Sequence, residues 1–112
     1  MKTTDRIRAQ LAENTLILYM KGTPTLPMCG FSSRAAKALK GAGYEFAYVD
    51  VLMNPQIMQA LPEVSDFPTF PQFFVKGELV GGSDIVEAML ASGDLQRMIE
   101  AALAADATEA SA

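Results

Sequence analysis

The stretch Pro27-Met28-Cys29-Gly30-Phe31-Ser32-Ser33 holds the only cysteine of a 112-residue chain that has no histidine. A cysteine that merely fills a core behaves as a small hydrophobe and belongs in a strand or on an apolar helix face. Cys29 instead follows a proline-punctuated loop and precedes what reads as a helix, with Gly and Ser around it. Free N–H groups and the dipole at a helix start favour anions, and a thiolate is one. Cysteines placed there can have pKa values lowered to roughly 3.5–7.5, which makes them nucleophiles and metal ligands at neutral pH. Lys21 adds positive charge from the end of the preceding strand. The plainer alternative is an incidental cysteine with a surface lysine nearby. A dithiol oxidoreductase needs a second thiol three positions on, to resolve the mixed disulfide. Here that position is Ser32, so Cys29 either relies on an external thiol or does something other than redox cycling.

The bulk composition narrows the rest. At 112 residues, half of them hydrophobic and a fifth charged, the chain reads as one globular domain with one core. A net charge of −4 and a pI near 4.6, with no basic run, argue against a nucleic-acid partner. The longest apolar run, Leu16 to Met20, is too short to cross a membrane. The N-terminal residues lack the apolar stretch of a secretory signal and carry acids that a transit peptide avoids. One cysteine makes no intramolecular disulfide, so a reducing cytoplasm is the expected compartment. It also excludes a thiolate metal site built from one chain, and such a site must borrow ligands.

The elements that must position Cys29 read as follows. Asp5 to Asn14 is a short amphipathic helix, with Thr4 as a cap and Asn14 as a left-handed stop. Leu16 to Met20 is a buried strand and Lys21 to Pro27 a loop. A helix runs from Phe31 to about Leu39 and ends at Gly41 and Gly43. Glu45 to Val51 is a second strand, apolar on both faces. Asn54-Pro55 opens a helix that stops at Pro62. Gln72–Lys76 and Glu78–Val80 form a hairpin about Gly77. Ser83-Asp84 caps a helix bearing Ile85, Ala88 and Met89, and a last helix carries Leu95, Met98, Ile99 and Ala102. From Ala105 the tail is small and polar and is expected to fray as a disordered segment over 105–112. The βαβ unit followed by a hairpin predicts an α/β fold: a four-stranded mixed sheet flanked by helices on both faces.

Three stretches in order and spacing now carry a resemblance: Lys21 to Ser32 (KGTPTLPMCGFS), Phe67 to Gln72 (FPTFPQ), and Gly77 to Ile85 (GELVGGSDI). Over roughly residues 3 to 104 the chain resembles the monothiol, CGFS-type glutaredoxins, with a domain spanning 1–104. The resemblance implies a thioredoxin-like fold, a glutathione site, and a [2Fe–2S] cluster shared between two chains in a homodimer. Such a cluster wants four thiolates; two chains and two glutathione thiols supply them.

By the same resemblance Cys29 is the nucleophile and metal ligand, with Gly30 and Phe31 as its surround. Lys21 would meet the glycyl carboxylate of glutathione. Thr69 and the Phe70-Pro71 step would pair with the tripeptide backbone. Gly82, Ser83 and Asp84 would hold the γ-glutamyl end, amides to the carboxylate and Asp84 to the ammonium. Each has a plain alternative: Pro71 and Gly82 shape turns, Ser83 and Asp84 cap a helix, Lys21 solubilises a strand end, and Phe31 and Phe70 are core. Phe73 and Phe74 read as core aromatics within a strand. Two positions depart from the family pattern. Met58 stands where an arginine commonly meets the glycyl carboxylate, leaving Lys21 with Gln56 or Gln59, and Phe67 replaces a frequent tryptophan.

Three functions follow as expectations. One is a carrier that binds a labile [2Fe–2S] cluster and passes it to apo iron–sulfur proteins. The second is a glutathione-dependent reductase that removes glutathione from protein thiols using Cys29 alone. The third is an adaptor for a partner such as a BolA-like protein.

Overall fold

In the computed structural model, residues 2–111 are described, with side-chain surroundings through residue 108. Five helices and four strands follow one another as α1 (Thr3–Glu13), β1 (Leu16–Met20), α2 (Gly30–Gly41), β2 (Ala47–Asp50), α3 (Pro55–Ser65), β3 (Gln72–Val75), β4 (Glu78–Gly81), α4 (Ser83–Ser92) and α5 (Asp94–Ser111). The sheet order is β2-β1-β3-β4: β1 runs parallel to β2 and antiparallel to β3, and β3 and β4 form the hairpin. This is the thioredoxin-like arrangement expected.

β1 is central, and each of its residues is buried, which is why it reads as apolar on both faces. Leu16, Leu18 and Met20 pack on one side with α2, α4 and α5, through Leu39, Val86, Leu95 and Ile99. Ile17 and Tyr19 pack on the other with α1 and α3, through Ile7, Ile57 and Leu61. Tyr19 meets Phe74 edge to face at 5.6 Å, and its hydroxyl donates to Gln10 Oε1 at 2.7 Å. Burial pushes that phenol's pKa well up. β2 is an edge strand with Tyr48 exposed, so its expected two-sided burial is only partial.

Several local expectations give way to tertiary packing. α1 starts at Thr3 rather than being capped by Thr4; the Lys2 amide donates to the Asp5 carboxylate at 3.3 Å. Asn14 is extended, not left-handed, and ends the helix by donating its side-chain amide to Gln10 O. α3 runs through Pro62, losing the hydrogen bond a proline cannot donate. Leu61 is fully buried, and the Pro62 carbonyl accepts from the Asp66 and Phe67 amides, so the last turn holds. The segment from Ala105, expected to be disordered, continues α5 to Ser111. There Asp106 accepts a short hydrogen bond from the Thr15 hydroxyl and pairs with Lys76 at 3.4 Å, which fastens the helix to the ends of β1 and β3. Residue 112 lies outside the described residues.

The loop before Cys29 is a closed turn. Gly22 bridges to Pro27, and the Met28 amide donates to Lys21 O at 2.9 Å. Gly22 has φ +90, and a Cβ there would stand 2.5 Å from Leu26 O and 2.6 Å from Met28 N. Gly22→Ala is therefore expected to cost roughly 1–3 kcal/mol from the left-handed backbone alone, lowering the melting temperature by several degrees. A thermal melt of the variant that overlays the parent would show that the loop relaxes around the new methyl.

Candidate functional site

The site is built from the C-terminal end of β1 outward. The Ser32 side chain is fully buried, and its Oγ accepts the Lys21 amide at 3.0 Å. This ties the first turn of α2 to the chain leaving β1. Asp50 Oδ1, at the end of β2, accepts the Gly22 amide at 3.0 Å and the Leu52 amide at 3.0 Å, so the two loops at this edge share one anchor. Lys40 Nζ donates to Pro24 O at 2.8 Å and holds the loop against α2. Cys29 thereby sits at the N-cap of α2, half-buried and with a free thiol.

Its thiol pKa lies below the ordinary value. The backbone amide of Ser32 contributes most, followed among the favourable causes by the Phe31 amide, the Lys21 charge and the Ser32 hydroxyl, while burial opposes them. Since the Ser32 oxygen already accepts from Lys21, its proton is free for the sulfur. The residue in the resolving position is thus an organiser of the thiolate.

Beside Cys29 opens a cleft of about 740 Å³, lined from four parts of the chain. Lys21, Cys29 and Phe31 come from the β1–α2 corner. Met58 and Pro62 come from α3. Residues 67–71 descend into β3, with a cis peptide between Phe70 and Pro71. Gly82, Ser83, Asp84 and Ile85 open α4. Gln72, fully buried, donates its side-chain amide to Phe67 O at 2.8 Å and Thr69 O at 3.1 Å, and so braces the third wall. A Cβ on Gly82 would stand 3.3 Å from Pro71 O and 3.5 Å from the Phe67 ring, so the close approach of α4 to this wall needs the small residue.

Of the residues singled out from sequence, Lys21, Cys29, Phe31, Thr69, Phe70, Pro71, Gly82, Ser83 and Asp84 meet in this one cleft. Gly30 does not line it; Gly30 opens α2, is exposed, and a Cβ there would touch nothing within 4 Å. Phe31 is exposed rather than core, while Phe73 and Phe74 are buried. Met58 faces the cleft and also packs on the α1–α3 core, whereas Gln56 and Gln59 are exposed and absent from the lining. Ser83 is the first residue of α4 and is buried, so the N-cap is Gly82. Pro62 and Ile85 were not singled out from sequence; each looks like an ordinary helix residue until the helices are placed. Arg34 was also missed. It contacts Asp84 and Glu87 on α4 from α2, and nothing local signals that.

Chemically, the cleft offers an activated thiolate at one rim, a lysine beside it, and unpaired amides at the start of α4 across the opening. An extended, doubly anionic molecule with a thiol fits that distribution of donors. Among the described residues no group of three or more His, Cys, Asp or Glu could hold a metal ion. None of the described helices is long and apolar enough to cross a membrane.

Known proteins resemble this chain in sequence and fold. Residues 16–80 match the family model described as Glutaredoxin. The chain is 57% identical over 89 residues, 80% of its length and 100% of the relative's, to a probable monothiol glutaredoxin GrlA of Legionella pneumophila. It is 54% identical over 98 residues, 88% of its length and 85% of the relative's, to Glutaredoxin 4 of Escherichia coli K12. The solution structure of reduced poplar apo GrxS14 superposes with a TM-score of 0.78 at 37% identity, covering 90% of this chain and 93% of that one.

The thiolate assignment is checked by the rate of Cys29 alkylation against pH. Its midpoint should lie below that of a free cysteine. Ser32→Ala and Lys21→Gln should each raise the midpoint only part of the way back, because the α2 amides remain. A full return to the free-cysteine value in Ser32→Ala would mean that the hydroxyl, not the helix terminus, holds the thiolate.

Proposed function

The chain belongs to the glutaredoxin family, and we propose that it is a monothiol member that holds a labile [2Fe–2S] cluster with glutathione and passes it to apo-proteins. The observation that carries this reading is a single activated thiolate at the mouth of an open cleft, with a buried serine where a resolving thiol would stand. A [2Fe–2S] cargo takes four thiolates. Cys29 supplies one, Cys29 of a second copy another, and two glutathione thiols complete the set. The cargo then binds at a two-fold interface, in which each copy contributes the same patch.

Within each cleft Lys21 meets the glycyl carboxylate and the Thr69–Pro71 segment pairs with the extended tripeptide. The first amides of α4 receive the γ-glutamyl carboxylate, and Asp84 takes its ammonium. Phe31 and Phe70 cover the apolar flank. Recipients would be apo iron–sulfur proteins, with a BolA-like protein as a further partner of the family and the cytoplasm as the compartment.

A second reading is favoured by the lowered thiol pKa. The Cys29 thiolate attacks the glutathione sulfur of a protein–glutathione disulfide. The S–Cys29 bond forms, the old S–S bond breaks and the protein leaves as thiolate. Free glutathione, as thiolate, then attacks the same glutathione sulfur, releasing Cys29 and yielding glutathione disulfide.

Two experiments follow. Anaerobic reconstitution with iron, sulfide and glutathione should give a coloured dimer with two glutathiones, whose mass by light scattering falls to the monomer on chelation. Cys29→Ser should lose the visible absorbance while keeping the parent melting curve. A Cys29→Ser protein that reconstitutes to the parent absorbance, or a coloured monomer, would sink the carrier reading. Met58→Arg restores a cation toward the glycyl carboxylate. Solvent-exposed ion pairs contribute about 0.2–1 kcal/mol, so cluster retention at limiting glutathione should improve by about 1.4- to five-fold at low salt, and less at high salt. No change at low salt would mean that the carboxylate lies elsewhere.

A further inference from the structure

Arg34 lies one turn beyond the thiol on α2 and reaches across to α4. Its Nη2 is 3.3 Å from Asp84 Oδ1 and in short contact with Glu87 Oε1, and its guanidinium carbon is 5.9 Å from the centroid of the Phe31 ring. Asp84 and Glu87 are three residues apart and therefore share one face of α4. Phe31 and Asp84 line the cleft; Arg34 and Glu87 do not. The cation is thus held at the rim, on a carboxylate that belongs to the cleft and on another that does not.

The two arms are unequal. The Asp84 side chain is 84% exposed and the Glu87 side chain 38%. The arm to Asp84 is the longer and the more solvated, so it is the one an incoming group can displace. Arg34 is held above its ordinary pKa chiefly by Glu87 and only secondarily by Asp84, which agrees with that ranking.

We propose that Arg34 is a charge latch on Asp84: it occupies this carboxylate in the empty cleft and retires onto Glu87 when a ligand ammonium arrives. The latch rests on the reading above, in which Asp84 takes the γ-glutamyl ammonium of glutathione. Two cations at one carboxylate repel each other, so Arg34 weakens the preference for an ammonium-bearing ligand. Glu87 restores part of it by giving the guanidinium somewhere to go. The γ-glutamyl carboxylate, bound by amides, gains from the same cation. Arg34 therefore shifts recognition from the ammonium toward the carboxylate of one ligand end.

The test isolates the ammonium. Cys29 is equilibrated with glutathione disulfide, forming the Cys29–glutathione disulfide and releasing one glutathione; one S–S bond breaks, one forms, and the leaving thiolate takes the proton given up by Cys29. Mass spectrometry gives the equilibrium constant. The same measurement uses the disulfide of glutaryl-cysteinyl-glycine, which lacks only the amino group. The ratio of the two constants reads the ammonium alone. Arg34→Gln should raise this ratio by about two- to five-fold, and Glu87→Gln should lower it by a similar factor. Lys37→Gln removes an equal charge from an exposed position three residues along α2 and should leave it unchanged. A ratio that does not rise in Arg34→Gln, does not fall in Glu87→Gln, or rises equally in Lys37→Gln overturns the latch. No mixed disulfide in the parent protein overturns the glutathione reading, and a ratio of one in both the parent and Arg34→Gln overturns Asp84 as the ammonium's partner and the latch with it.

Discussion

The buried Ser32 hydroxyl is the contact on which the site depends. By accepting the Lys21 amide it fastens the first turn of α2 to the end of the central strand, and it leaves its own proton for the Cys29 sulfur. A polar group taken wholly out of water must be hydrogen-bonded or it costs about 1–3 kcal/mol, and here the bonding also locates the thiolate. A second thiol at this position would sit in the same enclosed spot, where a neutral S–H is the weaker donor. The serine therefore suits a thiolate that stays a thiolate better than one that is resolved internally.

Around that node the cleft is assembled from loops that share anchors. Asp50 joins the Cys29 loop to the turn after β2, Gln72 braces the wall that contains Thr69, and Gly82 lets the start of α4 close against Pro71. None of these three touches the sulfur chemistry. Each sets a distance between segments, and a site that recognises an extended molecule at both ends depends on those distances. The charge layout is asymmetric. Lys21 stands near the thiolate, Met58 contributes an apolar surface opposite, and the far end combines helix amides with Asp84 under the control of Arg34.

Much of this was legible in the chain itself. The βαβ-hairpin order, the buried central strand and a helix start just after Cys29 follow from short local patterns, and the three ordered motifs carry the family resemblance. The nine cleft residues foreseen belong to those motifs. What was misread was decided at long range. Pro62 ends a helix by local rules, yet α3 continues because Leu61 buries its side chain beneath it. The tail from Ala105 has the composition of a fraying end, yet Asp106 finds Thr15 and Lys76.

By itself, then, the sequence determined where a thiolate can be stabilised and that it has no internal partner, because helix starts, strand periodicity and residue counts are local properties. Only the tertiary structure decided what else surrounds that thiolate: Pro62 and Ile85 as walls beside Met58, Gly30 outside them, and Arg34 on Asp84 and Glu87. Arg34 and Asp84 are fifty residues apart. Their pairing depends on how α2 and α4 pack on the same face of the sheet, and a contact made by packing leaves no periodicity along the chain.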